Sequence, residues 1–183
     1  MKNSALKISV TSLSACLICL CSWIMLPLGG VPMTLQTFGV AFCGFLLGIR
    51  GGVSATAVYL ILGAVGLPVF AGFGGSLAFL FGPTGGFLFG FLFLSFFCGT
   101  AKRKSSFLQA FLLSLTGLFL CHLFGILWFA YVGKLSFFQS FLLSSLPYLL
   151  KDILSVFFAR FLFLKMKKRF PNLILWKEIH TIK

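Results

Sequence analysis

Polar residues punctuate this chain more than they pattern it. Apolar positions gather into six runs near the length that crosses about 30 Å of hydrocarbon at 1.5 Å rise per residue. They lie at Ile8 to Leu26, Val31 to Ile49, Gly51 to Leu67, Gly82 to Thr100, Ser106 to Val132 and Phe137 to Leu164. Each predicts a membrane helix. The second and third are short, and cross by locally thinning the bilayer or form a re-entrant pair. Between the third and fourth, Gly66 to Phe87 carries seven glycines and two prolines and is no ordinary span. Non-helical backbone at membrane depth persists where protein or a water-filled cavity satisfies its polar groups, so this segment is expected to build a site or a lid.

Composition agrees, with 60% apolar residues and a mean hydropathy of +1.10. The 15 Lys and Arg residues set the orientation, because positive charge is retained on the cytoplasmic side of short loops. Lys2 and Lys7 precede the first run, Arg50 divides the second from the third, Lys102, Arg103 and Lys104 follow the fourth, and Lys165, Lys167, Lys168 and Arg169 follow the sixth. All fall inside when both termini are cytoplasmic. Lys134 is the clear loop cation on the other side, where Pro27, Pro32, Pro68, Pro83 and Pro147 also fall. A net charge of +13 is thus spent on topology beside anionic lipid, and nucleic acid is not an expected partner. No small-residue cleavage site precedes Pro27, so the first run is read as a retained helix and not a signal peptide.

The expectation is an all-α, polytopic membrane protein. Residues 1–170 form one compact bundle of six transmembrane helices, and 171–183 form a polar cytoplasmic tail.

Chemistry is sparse. Cys16, Cys19 and Cys21 include a C-x-x-C spacing, but they lie inside an apolar run with no second pair and no neighbouring histidine. With Cys43, Cys98 and Cys121 they read as small core residues, and no metal site is expected. His122, placed near the cytoplasmic third of the fifth run, and His180, in the tail, receive no role. Phosphate-loop, nucleophile-elbow and zinc-protease motifs are missing. No catalytic residue or cofactor is expected, and uphill transport would draw on another polypeptide or an ion gradient.

Two acids remain, Asp152 and the tail residue Glu178. An ionisable residue inside a span is by default a functional candidate. With Lys165 marking the inner surface, Asp152 lies about 20 Å above it, in the outer third of its helix. Either it pairs structurally, with Lys151 or a neighbouring helix, or it binds a ligand. Adjacent residues point about 100° apart on a helix, which makes Lys151 a poor direct partner. A carboxylate for N–H groups, a lysine for a ligand carboxylate and aromatic walls together suit a small amphipathic molecule such as a vitamin.

Three segments carry a resemblance: Val31-Pro-Met-Thr-Leu-Gln-Thr-Phe-Gly39, Tyr59-Leu-Ile-Leu-Gly-Ala-Val-Gly-Leu-Pro-Val-Phe-Ala71 and Leu80-Phe-Gly-Pro-Thr-Gly-Gly-Phe-Leu-Phe-Gly-Phe91. In order and separation they resemble the BioY family, substrate-binding S components of energy-coupling-factor (ECF) biotin transporters, and the likeness resumes weakly from Pro147 to Asp152. It implies a six-helix bundle that binds biotin from outside and docks on a transmembrane coupling protein driven by two cytoplasmic ATPases. Asp152 then accepts the ureido N–H groups of biotin. The family places a lysine three residues after that aspartate, where this chain has Ser155 and offers Lys151 instead. Three readings stay open: Lys151 reaches the site by a shifted helix, loop N–H groups and hydroxyls hold the carboxylate, or specificity has drifted. Phe87 replaces the family's usual tyrosine. Ser155 and Phe87 motivate the alternative of an S component for another small vitamin, and a solitary vitamin transporter is the other alternative.

Further site candidates follow. Phe70, Phe73 and Phe79 are expected to close over the ligand, Thr84 with the backbone of Gly85 and Gly86 to line the pocket edge, and Thr34 and Gln36 to converge from the second run. Gly44 and Gly48, Gly82 and Gly86, and Gly86 and Gly90 stand four apart, so helices approach closely there. Ala5, Ser9, Ser12, Ala15 and Cys16 make a small-residue surface on the first helix, where the resemblance implies the coupling subunit docks.

Overall fold

A computed structural model describes residues 2–27, 31–101 and 105–170. The triplet Lys102, Arg103 and Lys104 and the tail with Glu178 and His180 lie outside them. Among the described residues there are seven α-helices: α1 (Lys2–Trp23), α2 (Gln36–Ala64), α3 (Leu77–Phe81), α4 (Gly85–Thr100), α5 (Phe107–Gly133), α6 (Phe137–Ser144) and α7 (Leu146–Arg169).

The second and third apolar runs merge into α2, which folds back on itself at Gly48. That residue sits at φ 70°, ψ −172°, a conformation that side-chain-bearing residues rarely adopt. Two contacts prove the reversal. Gln36 hydrogen-bonds Tyr59 across 23 residues, and a Cβ added to Gly52 would stand 2.8 Å from the Cα of Gly44. In a straight helix those pairs would be separated by about 34 and 12 Å. The turn comes two residues before Arg50, and residues 36–47 and 49–64 form two antiparallel legs. By length and composition alone, Ala5–Trp23, Gln36–Ala64 and Phe107–Gly133 suffice to cross a membrane. With the legs of α2 counted separately, with the shorter apolar α4, and with α7, six crossings result, as expected.

The sixth run is broken. Helices α6 and α7 bend by 52° at Ser145, where Pro147 falls in the first turn of α7, the place a helix best tolerates a missing N–H. At α5, Ser106 and Gln109 form a capping box, which satisfies amide donors the helix leaves open. Between α1 and α2 lies an unexpected two-stranded antiparallel ribbon, β1 (Met25–Leu26) and β2 (Met33–Thr34), with Met25 opposite Thr34.

Of the glycines set four apart, Gly44, Gly86 and Gly90 pack helices within the bundle, whereas Gly48 forms the reversal and Gly82 ends α3. A Cβ on Gly44 would meet the Cys98 Cβ at 2.8 Å, and one on Gly90 would meet the Cys121 Cα at 2.9 Å. One end of the bundle carries the β-ribbon and the Gly66 to Phe87 segment, tied down by Trp23 Nε1 to the Pro68 carbonyl (2.9 Å) and Trp128 Nε1 to the Gly82 carbonyl (3.0 Å). The opposite, basic end carries the Gly48 reversal and the segment before α5.

Candidate functional site

A cavity of about 130 Å³ opens at the loop end. Aromatic and aliphatic walls come from Phe70, Phe79, Phe87, Leu88, Phe91 and Leu118. Phe70 and Phe79 face each other at 6.0 Å between ring centres, and the edge of Phe70 meets Tyr59 at 5.5 Å. The polar lining comes from Thr34, Gln36, Thr37, Thr84, His122, Ser144, Tyr148, Lys151 and Asp152.

Asp152 is the hub of that polar lining and is buried. Thr37 donates to its Oδ1 at 2.6 Å, and the Lys151 ammonium also contacts Oδ1. His122 Nε2 lies 3.2 Å from Oδ2, while His122 Nδ1 is 2.7 Å from the Ser145 hydroxyl at the α6/α7 break. A carboxylate has about four lone-pair directions. Thr37 and Lys151 take those of Oδ1, and His122 takes one on Oδ2, so one acceptor direction on Oδ2 stays uncommitted. Lys151 spends one N–H on Asp152 and another on the Thr34 carbonyl at 2.8 Å. Among the described residues its third proton meets no acceptor, which leaves it for an incoming oxyanion. The site therefore offers one acceptor and one cationic donor side by side against an apolar wall.

Around this hub the polar groups are mutually satisfied. Thr34 Oγ1 donates to Gln36 Oε1 at 2.7 Å, and Gln36 Nε2 donates to the Tyr59 hydroxyl. The Tyr148 hydroxyl donates to the Val31 carbonyl. With the Lys151 bond to Thr34, this attaches α7 to the residues 31–34 that roof the cavity.

The structure brings together Asp152, Lys151, Thr34, Gln36, Phe70, Thr84 and Phe87, and it corrects other expectations. Lys151 does reach Asp152, since its flexible four-carbon stem overcomes the 100° offset between adjacent helix positions. Ser155 faces away, into an outer groove with Leu35, Phe38 and Phe158. Lys151 and Ser155 share that face one turn apart, so the cation stands one turn nearer the loop end. Phe73 is 65% exposed and packs on Trp23 at 5.2 Å. Gly85 and Gly86 do not line the cavity: a Cβ on Gly85 would lie 1.8 Å from the Leu80 carbonyl oxygen, and one on Gly86 2.3 Å from the Trp128 Cβ. Their role is close packing of α4.

His122, Thr37, Ser144 and Tyr148 escaped the sequence reading. A depth count would have found His122. Sixteen residues beyond Ser106 it stands about 24 Å from the basic end, level with Asp152 and far from the cytoplasmic third. Thr37 carried no comparable signal. On α1, Ala5, Ser9, Ser12 and Cys16 are exposed on one face, but Ala15 is 1% exposed and belongs to the core.

The model of the BioY family matches residues 1–172. A protein of Pyrococcus horikoshii named "Probable biotin transporter BioY" is 39% identical over 150 residues, 81% of this chain and 88% of the relative. The "Biotin transporter BioY" of Thermotoga maritima is 38% identical over 153 residues, 80% of this chain and 87% of its own. The "Biotin transporter BioY2" of Lactococcus lactis subsp. cremoris is 33% identical over 157 residues, 84% and 86%. Among solved structures, "Crystal structure at 2.1 A of the S-component for biotin from an ECF-type ABC transporter" superposes with a TM-score of 0.82 over 91% of this chain and 93% of that one. At 22% identity that likeness speaks for the fold.

Proposed function

The chain belongs to the BioY family, and on that premise we propose that it is the biotin-binding subunit of an ECF-type transporter. It is a multi-pass membrane protein with transport, not catalysis, as its task. The observation that carries the reading is the pairing at the cavity: an uncommitted acceptor on Asp152 Oδ2 beside an uncommitted proton on Lys151, both against aromatic walls. Biotin presents matching groups, N–H donors on a flat ureido ring and a carboxylate on an aliphatic tail. In this reading Asp152 takes a ureido N–H, Lys151 takes the carboxylate, and Phe70, Phe79 and Phe87 cover the ring system. Thr34, Gln36 and Thr84 complete the rim. Lys151 in the cavity also removes the reason that Ser155 gave for preferring another vitamin.

The loop end faces outward in this proposal. Both termini lie inside the cell membrane's cytoplasmic face, following the distribution of positive charge. A transmembrane coupling protein docks on the exposed small face of Ala5, Ser9, Ser12 and Cys16. Separate cytoplasmic ATPases supply the energy.

Equilibrium binding of radiolabelled biotin to the purified protein, with thiamine, riboflavin and niacin as competitors, tests the reading. Saturable binding displaced by unlabelled biotin alone is expected. Displacement by one of the other vitamins, or no saturable biotin binding, overturns it.

A further inference from the structure

Tyr59, on the second leg of α2, lines no part of the cavity, yet it holds two residues that do, Gln36 and Phe70. It is 0% exposed. Its hydroxyl accepts a proton from Gln36 Nε2, and its ring meets that of Phe70 edge-on at 5.5 Å. Gly63, four positions on, shares a helix face with Tyr59. A Cβ there would come within 2.0 Å of the Phe70 ring. The Tyr59 ring and the bare backbone of Gly63 therefore form the socket that seats Phe70, and Phe70 in turn meets Phe79 in the cavity wall at 6.0 Å.

The hydroxyl carries the connection further. Having accepted from Gln36, Tyr59 still has its own proton to give, and its second hydrogen-bond partner is the buried Ser22 of α1. Ser22 donates to the Val69 carbonyl at 2.5 Å, with the Cys19 carbonyl of its own helix at 2.8 Å. Each hydroxyl accepts from one neighbour and donates to the next. The chain runs from Thr34 to Gln36, from Gln36 to Tyr59, from Tyr59 to Ser22 and from Ser22 to Val69, the residue before Phe70. Lys151 joins it at the start through the Thr34 carbonyl. Buried donors are costly to leave unpaired, and bonds in such a chain polarise one another, so its links hold as a set.

We propose that Tyr59 is a positioning residue for the ligand. Without touching it, Tyr59 sets Gln36 at the rim and Phe70 in the wall, and it joins residues 31–34 and 68–70, the two segments over the cavity, into one cover. Its effect on affinity rests on the biotin reading above, whereas the coupling of the two segments does not. Trp23 holds the Pro68 carbonyl and packs on Phe73 independently of this chain. Cutting the chain therefore leaves the loop docked on α1 and severs only its link to Gln36.

The test compares purified wild type, Tyr59→Phe, Ser22→Ala and the double variant. Tyr59→Phe keeps the socket and removes the hydroxyl. Hydrogen–deuterium exchange of the empty protein should show residues 31–35 and 66–75 exchanging faster together in either single variant. Radiolabelled biotin should dissociate several-fold faster from each, with little change in the rate of association. Because either substitution interrupts the same chain, the double variant should release biotin no faster than the more affected single one. Faster exchange confined to α2 around position 59 makes Tyr59 a packing residue and overturns the proposal. Dissociation factors that multiply in the double variant overturn it too, since the two residues then act separately. Ser22→Ala decides the matter if Tyr59→Phe does not fold. Wild type that binds no biotin overturns the ligand reading instead, and the exchange arm, which needs no ligand, still decides this one.

Discussion

Helix α7 carries two buried charges about 12 Å apart, and they are built on opposite terms. Asp152 is met by donors from three other positions, Thr37, His122 and its neighbour Lys151. Arg160 is met by one carbonyl and two rings. The carboxylate is almost saturated, and that near-saturation makes a selective site: a ligand must fit the single acceptor direction left on Oδ2 and the single proton left on Lys151. The arginine is undersaturated. Enclosed by the rings of Phe45 and Phe163, its Nε and Nη1 meet no acceptor among the described residues. A buried charge thus specifies a ligand by how much of its hydrogen-bonding capacity the protein has already used.

The largest expected effect comes from emptying the saturated end. Asp152→Asn, isosteric but uncharged, should weaken biotin binding by a hundredfold or more, in line with the roughly 2–5 kcal/mol lost when one partner of a buried charge pair is removed. Equilibrium binding measures it, and circular dichroism checks that the helices persist. Misfolding with no folded protein recovered would instead make Asp152 a structural ion pair.

Lys151→Met comes next. A hydrogen bond to a charged group contributes about 1.5–3 kcal/mol, so biotin should bind ten- to a hundredfold more weakly. Biotinamide, which lacks the anion, sharpens the comparison: its affinity should change little between wild type and Lys151→Met. Equal losses for acid and amide would place the carboxylate elsewhere.

A smaller effect is expected at His122, whose ring holds Oδ2 in place from Ser145. His122→Phe keeps the ring volume beside Phe87, which it meets edge-on at 5.8 Å, and removes both hydrogen bonds. About tenfold weaker binding should result, near the roughly 1.5 kcal/mol at the low end for a hydrogen bond to a charged group. The predicted asymmetry is part of the claim. If His122→Phe costs more than Asp152→Asn, the histidine and not the aspartate is the primary contact.

Tyr148→Phe should have the mildest consequence. It removes the bond to the Val31 carbonyl while leaving the Lys151 tie to Thr34 in place. About 1 kcal/mol should appear as a several-fold faster biotin dissociation in a chase experiment, with little change in the rate of capture. Unchanged dissociation would show that the ribbon is not the roof that retains the ligand.

Much of this was legible in the residues. The six crossings, the cation-bearing loops, the exceptional character of Gly66 to Phe87 and the isolation of Asp152 all follow from run length, charge and rarity. The pocket candidates fared according to how local their evidence was. Phe70, Thr84, Thr34 and Gln36 line the cavity because they flank segments whose placement was readable. Gly85 and Gly86 looked like ligand-cradling backbone and proved to be packing surfaces, since glycine at a helix contact and glycine beside a ligand leave the same mark in sequence. Phe73 was one phenylalanine among 26, and nothing in its neighbours told that it would turn outward to Trp23. Gly48 illustrates the limit from the other side. Arg50 announced a turn, but which glycine would reverse the chain depended on the close crossing of Gly44 and Gly52.

By itself, then, the sequence determined that this is a helical membrane protein, how its cations divide between the two ends, and that one carboxylate lies in a span. These are consequences of hydrophobic length and of the cost of moving charge across a bilayer, and each is settled within about twenty neighbouring residues. Only the tertiary structure decided what meets that carboxylate. Thr37 is 115 residues away from Asp152 along the chain, and His122 stands on a different helix; both arrive there because the reversal at Gly48 and the break at Ser145 set the depth and rotation of their helices. Hydrogen bonds are made at fixed distances in space, and separation along the chain carries no trace of them.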